Sequence, residues 1–232
     1  MSSMNKVIVL LCIAFFIQDL KAQNIVDKEV DSLYREDQFY IGVTYNLLRK
    51  TPENFSQTGF SSGFHLGFIR DMPINKDRTL AIGLGFGYSI NSFNQNLLIN
   101  KDNTGAITYN TLDDNTYSKN KFSSHLIEFP LEFRWRNSTA TEYNFWRIYA
   151  GFKVSYRFAQ QAKYIGDLGN IKFTNIDSFN EIQYGLTASA GHNTWNVYLY
   201  YGLNPVFSND AKLNGNDLNI KIVKIGLIFY IL

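Results

Sequence analysis

The sequence predicts an all-β fold, an eight-stranded antiparallel transmembrane β-barrel. Three observations carry this. Apolar residues recur at every second position, the repeating segments are the length of a tilted strand that crosses a bilayer, and the connections between them alternate long and short. The clearest segment places Leu80, Ile82, Leu84, Phe86, Tyr88 and Ile90 on one face and Ala81, Gly83, Gly85, Gly87, Ser89 and Asn91 on the other. A period of two is that of a β-strand. About ten such residues, tilted, span the hydrocarbon layer.

The eight segments follow in order. The first covers about 38–48, with Phe39, Ile41, Val43, Tyr45 and Leu47 on its apolar face, and the second about 59–70, with Phe60, Phe64, Leu66 and Phe68. The third is 79–92. The fourth, 122–136, carries Ile127, Phe129, Leu131, Phe133 and Trp135, and the fifth, 145–158, carries Trp146, Ile148, Phe152, Val154, Tyr156 and Phe158. The sixth is 180–190 (Ile182, Tyr184, Leu186, Ala188), the seventh 195–203 (Trp195, Val197, Leu199, Tyr201, Leu203) and the eighth 218–232 (Val223, Ile225, Leu227, Phe229, Ile231). Connections 71–78, 137–144 and 191–194 are short. Connections 49–58, 93–121, 159–179 and 204–217 are longer and rich in Asn, Asp, Ser and Thr. Outer-membrane barrels alternate short periplasmic turns with long outer loops, and an even strand number leaves both termini periplasmic.

Composition agrees. The 232 residues suffice for one sizeable domain, and aromatic content is high at 16%. No run of about 20 apolar residues is present, which excludes a membrane-spanning helix. The net charge of +2 gives no reason to expect nucleic acid. Residues 1–22 have the layout of a signal peptide: Lys6 ahead of an apolar run from Val7 to Ile17, then Leu20-Lys21-Ala22 as a cleavage site. Residues 23–37 are a polar periplasmic lead, and the barrel occupies 38–232. The one cysteine, Cys12, lies inside the apolar run, so a mature chain has no disulfide, thiol chemistry or Cys-based metal site.

Alternation alone does not say which face points out, since a soluble lipocalin-type barrel also alternates. Two features favour an apolar exterior. Trp135, Trp146 and Trp195 all belong to the apolar set and sit beside short turns, a lower aromatic belt, while Tyr45, Tyr88, Tyr156 and Tyr184 fall toward the opposite ends. The other face is rich in glycine: Gly42, Gly63, Gly67, Gly83, Gly85, Gly87, Gly151, Gly185 and Gly226. Small residues suit a narrow interior.

The interior then holds His65, Glu128, Glu132, Arg134, Arg147, Lys153, Arg157 and Lys224. Eight strands leave a lumen that side chains fill, so these charges are expected to form ion pairs rather than line a pore. A symmetric hairpin between the fourth and fifth strands sets Glu128 opposite Lys153 and Glu132 opposite Tyr149; a shift of two residues sets Glu132 opposite Arg147. A shift of one is excluded, because it would turn the charges toward lipid.

The chemistry-bearing residues give no strong motif. Ser123, Ser124, His125 and Glu128 cluster, but His125 has the outward parity of Ile127 while Glu128 points in, so they do not make a Ser–His–acid site. His65, His125 and His192 lack metal-ligand spacing, and Gly83–Gly87 alternates inside a strand without opening a helix, so it is no phosphate loop. No cofactor or catalytic residue is expected. Pro130 stands mid-strand, where its missing N–H predicts a bulge or an unpaired ladder position.

Four stretches carry a resemblance: REDQFYIGVTYNLL (35–48), GFHLGFIRDMPINK (63–76), AIGLGFGYSINS (81–92) and IEFPLEFRWR (127–136). They resemble the PorT family of Bacteroidota outer-membrane barrels, called SprT in gliding relatives, from about residue 24 to the end. The resemblance implies a non-enzymatic component required for type IX protein secretion, and for gliding where present. Its implied partners are outer-membrane lipid and other secretion-machinery proteins. The alternatives are a lipid A-modifying barrel enzyme and an adhesion or ligand-binding barrel that uses the 93–121 loop.

Overall fold

The computed structural model describes residues 37–102, 104–113, 115–137 and 145–231. The chain divides into two units, Met1–Ser32 and Leu33–Leu232. The first lies outside the described residues, and so do the signal peptide 1–22, the lead segment up to residue 36 and residues 138–144 of the 137–144 turn.

Eight strands build the wall: β1 Gln38–Arg49, β2 Ser62–Pro73, β3 Leu80–Asn94, β4 Tyr117–Arg136, β5 Trp146–Gly166, β6 Ile182–His192, β7 Trp195–Gly202 and β8 Lys221–Ile231. Each pairs antiparallel with the next, and β8 pairs back with β1, so the sheet closes. Closure leaves no unpaired edge, a requirement for any sheet in lipid. The apolar set points out, as the alternation and the glycine face predict: Phe39, Phe86, Phe133, Ile148 and Val197 are each more than half exposed.

The two strand ends differ. At the turn end lie the start of β1, the end of β8, the connections 74–79 and 193–194, and Asn137 and Phe145 at the facing ends of β4 and β5. At the loop end lie four longer connections. There β4 and β5 run well past the predicted 122–136 and 145–158, as a ribbon joined by a six-residue strand segment, Gly169–Thr174, paired with β5. The extension escapes apolar alternation because most of its outward positions, among them Lys119, Lys121, Gln161 and Lys163, are polar.

Pro130 keeps its place in the β4–β5 ladder opposite Lys153, while β3–β4 pairing lapses between Leu84–Leu131 and Gly87–Glu128 with no change of register. The predicted unpaired ladder position is therefore present, and the bulge falls elsewhere, where the register shifts between His125 and Leu126 opposite Ala159 and Arg157. Phe158 is the extra residue.

The long connections fold into a cap. Leu97–Lys101 and Ile107–Thr111 form a hairpin within the predicted 93–121 loop. Its Leu97, Ile99 and Tyr109 are buried together with Ile176 and Phe179 from the β5–β6 loop and Val206, Phe207, Ala211 and Ile220 from the β7–β8 loop. Phe122 of β4 stacks on Phe93 at 4.8 Å and meets Phe179 at 5.4 Å. Two asparagines fasten this cap. Asn96 donates to Asn54 O (2.8 Å) and accepts from Ser56 N–H (2.8 Å), and Asn180 donates to Phe207 O (2.8 Å) and Pro205 O (3.0 Å). Tyr109 hydrogen-bonds Ser178, and burial pushes its hydroxyl up to about 12, so it stays protonated.

The glycine face is a cast of the large side chains opposite it. Tyr40 reaches across Gly67 and Gly87, which are paired with each other in the β2–β3 ladder. A Cβ on Gly87 would collide with Tyr40 Oη and lie 2.8 Å from Leu66 O. Gly87→Ala is therefore expected to destabilise the barrel by ~1–3 kcal/mol. Thermal melting of the purified protein checks this, with partial recovery expected on adding Tyr40→Leu.

Candidate functional site

The lumen is where this chain concentrates its chemistry. Strand parity brings inward-facing charges from β2, β4, β5 and β8 into a closed space, and two clusters form.

The first fills the turn end. Asp71, on β2, accepts from Arg134 Nη1 (2.7 Å), from Arg136 Nη1 (2.8 Å) and, at its other oxygen, from Arg136 Nη2 (2.8 Å). Arg134 also donates to Gln38 Oε1, and its guanidinium lies 4.1 Å over the Tyr149 ring. Arg136 Nε donates to Arg78 O (3.0 Å). Gln38, Asp71, Arg134 and Arg136 are all fully buried, so this cluster closes the mouth. Such bidentate arginine–carboxylate pairing is the strong, directional kind.

The second lies midway. Glu128 accepts from Lys153 Nζ at 2.8 Å and from Ser89 Oγ at 2.8 Å, and His65 Nδ1 is 3.2 Å away. His65 Nε2 lies 3.2 Å from Thr44 Oγ1, which donates to Asn46 Oδ1 (2.8 Å). Asn46 continues to Asn91 (3.3 Å), and Asn91 to Ser89 (3.0 Å), which returns the network to Glu128.

Among the described residues, three buried carboxylates (Asp71, Glu128, Glu132) face six buried cations (Arg134, Arg136, Arg147, Lys153, Arg157, Lys224). Three of those cations lie over aromatic rings instead: Arg147 over Phe145 at 4.5 Å, Arg157 over Phe179 at 5.0 Å and Lys224 over Tyr200 at 5.0 Å. Cation–π contact is a known way to hold a desolvated cation.

The predicted pairings need correction. The β4–β5 register sets Glu128 opposite Ser155, Lys153 opposite Pro130 and Glu132 opposite Gly151. This is a two-residue shift, in the direction opposite to the one considered. Its cause is Asn137, which donates N–H to Trp146 O (3.2 Å) and accepts Trp146 N–H on its side chain (2.7 Å), closing the hairpin one residue later than a symmetric 137–144 turn would. Glu128 and Lys153 still meet, diagonally. Glu132 and Arg147 do not: Arg147 stands opposite Arg136, and the ion contact of Glu132 is a long 3.5 Å to Arg134 Nε. Sequence reasoning missed Asp71 and Arg136. Ending the second strand at residue 70 put Asp71 in a turn, although the inward parity of Gly67 and Ile69 reaches it.

The residues weighed for hydrolysis are apart. His125 faces outward, with Nδ1 2.7 Å from Tyr88 Oη, while Ser124 and Glu128 are buried inside. His192 is exposed and meets the Trp146 ring at 5.2 Å. Among the described residues no three His, Cys, Asp or Glu side chains gather so as to hold a metal ion.

A family model described as "Outer membrane protein beta-barrel domain" matches residues 21–208. The chain belongs to that family. Its barrel therefore stands in an outer membrane, and the exposed wall described above faces lipid. No curated protein matches the chain. Among solved structures it is similar to Ail, the attachment invasion locus protein of Yersinia pestis. That similarity has 12% identity, a TM-score of 0.38 and coverage of 85% of this chain and 99% of that one. A second structure of Ail, in complex with the heparin analogue sucrose octasulfate, gives 15% identity, a TM-score of 0.37 and coverage of 84% and 98%.

In this membrane setting the tryptophans have a simple geometry. Trp135 is the penultimate residue of β4, and Trp146 and Trp195 are the first residues of β5 and β7, all at the turn end and 40–64% exposed. Trp195 packs edge-on against Phe229 at 4.7 Å. Tyr45, Tyr156 and Tyr184 are outward toward the loop end.

Proposed function

We propose that this outer-membrane barrel is a non-catalytic accessory component of a protein-export machine, required for type IX secretion and, where present, gliding. The observation that supports an accessory role is closure at both ends. The Asp71–Arg134–Arg136 cluster fills one mouth and the loop cap fills the other, where Leu97, Ala211 and Ile220 are fully buried. A barrel sealed in this way offers its outer wall, turns and loops to partners and does not conduct cargo itself.

The link to type IX secretion rests on the four stretches that resemble the PorT family. In the folded chain they fall on the adjacent strands β1 to β4. Two of them meet in the lumen: Asp71, within GFHLGFIRDMPINK, is clamped by Arg134 and Arg136, within IEFPLEFRWR. In this reading both termini and the short turns face the periplasm, the partners are outer-membrane lipid and other secretion-machinery proteins, and no cofactor or nucleic acid is involved.

A clean deletion is expected to abolish secretion of cargo bearing a C-terminal sorting domain, with the envelope intact. Cargo secretion at the normal level in that strain rejects the proposal. The loop cap favours a second reading, adhesion or ligand binding, because its loops are packed and hydrogen-bonded to one another as one continuous surface. Deletion of the 97–111 hairpin that removed surface binding and left secretion unchanged would select this reading.

A further inference from the structure

Past the upper aromatic positions, β4, β5 and Gly169–Thr174 form a three-stranded ribbon. On its outward face three lysines stand in one row: Lys121 opposite Lys163, and Lys163 opposite Lys172. Lys119 extends the face by two residues along β4. Burial of Asn120, Phe122, Ala162 and Tyr164 on the other side fixes this parity. Among the described residues none of the four lysines has a carboxylate within ion-pair distance. Like charges directly opposite each other weaken a sheet. The ribbon thus keeps an unfavourable row that alternation with any polar residue would avoid.

The height of the row indicates what offsets the repulsion. Descending β4 on the outward face from Lys121, the next positions are Ser123, His125 and Ile127. His125 bonds Tyr88 at 2.7 Å and lies 6.0 Å from the Phe158 ring, which makes this the upper aromatic level. Lys121 is four residues above His125, about 13 Å along the strand and roughly 10 Å in height once the strand tilts. The headgroup layer on each side of a bilayer is about 5–8 Å deep. Lysine side chains hanging from that height end among the headgroups. A groove of about 370 Å³ lined by Thr58, Gly59, Asn94 and residues 117–120 includes Lys119 in its wall.

We propose that the Lys119–Lys121–Lys163–Lys172 face binds the phosphate groups of lipid headgroups in the leaflet at the loop end. The inference rests on the outward face of a membrane barrel and stands whether or not the chain serves secretion. The test is heat unfolding of the full-length, detergent-solubilised protein titrated separately with phosphorylated lipid A, dephosphorylated lipid A and inorganic phosphate. Only the phosphorylated lipid is expected to raise the unfolding temperature, less so at high salt. The Lys121→Gln/Lys163→Gln/Lys172→Gln variant should bind it about tenfold or more weakly. The same three changes to Arg should retain binding, and Lys76→Gln in the 74–79 turn should leave it unchanged. Because the Gln variant removes repulsion, it should fold at least as well without lipid. Equal response to the dephosphorylated lipid or to inorganic phosphate, equal affinity of the Gln variant, or wild-type affinity that ignores salt would each overturn the proposal.

Discussion

Asp71→Asn is expected to lower the heat-unfolding temperature of the solubilised barrel more than any other single lumen substitution. Asp71 has no exposure, and its two oxygens take three charge-assisted hydrogen bonds from two arginines that are themselves fully buried. The amide keeps the shape but has no charge and accepts at one atom only. Two guanidinium groups then lose their shared counter-ion in a fully buried cluster. Removing one partner of a buried pair costs on the order of 3–5 kcal/mol, and here both Arg134 and Arg136 are affected. Arg136→Met together with Asp71→Asn should recover only part of the loss, because Arg134 then keeps as its charge partner only the long 3.5 Å contact with Glu132, beside Gln38 and Tyr149. The measurement is the temperature at which the barrel loses its compact, heat-modifiable gel mobility. An Asp71→Asn protein that melts with wild type would mean the turn-end cluster carries no stability.

How far the sequence foretold this site depends on what alternation can report. Outward positions in lipid must be apolar, so Leu80 to Ile90 and Ile127 to Trp135 announced their strands and their facing, and inward parity followed for His65, Glu128, Arg134 and Lys153. Alternation is silent once a strand leaves lipid. That is why the β4–β5 ribbon was not seen: Lys119, Lys121, Lys163 and Lys172 occupy its outward positions. The cap was hidden for a related reason. Its apolar residues, Leu97, Ile99, Ile176, Phe179, Val206 and Phe207, are scattered through loops rich in Asn and Ser and pack by tertiary contact with no period to reveal them. Register was the third gap. The hairpin closes through the side chain of Asn137, a local choice that apolar spacing does not encode, and it moved Glu132 away from Arg147.

The corrected register leads to a differential result for the two glutamates. Glu128 has its charge met directly, with Lys153 Nζ at 2.8 Å and Ser89 Oγ at 2.8 Å, and it is fully buried. Glu132 has one long ion contact, 3.5 Å to Arg134 Nε, and its Oε2 makes no hydrogen bond among the described residues. Glu128→Gln therefore strands the Lys153 ammonium in the lumen, where salt does not screen it, at a cost of about 3–5 kcal/mol. Glu132→Gln removes a buried carboxylate that is poorly satisfied as it stands, and it should leave stability unchanged or raise it slightly. The double variant Glu128→Gln/Lys153→Met should regain most of what Glu128→Gln loses, since the Lys153 ammonium is no longer stranded, Lys224 stays over the Tyr200 ring, and Met fills the lysine stem's space beside Tyr198 and Tyr200. Lys153→Met alone should fall as far as Glu128→Gln, because Glu128 would then keep only Ser89 and His65. The four melting temperatures form a double-mutant cycle. Additive losses in that cycle would show that Glu128 and Lys153 are each held by other groups, and equal losses at Glu128 and Glu132 would show that proximity to a cation, at 2.8 Å or at 3.5 Å, does not set the stability of this lumen.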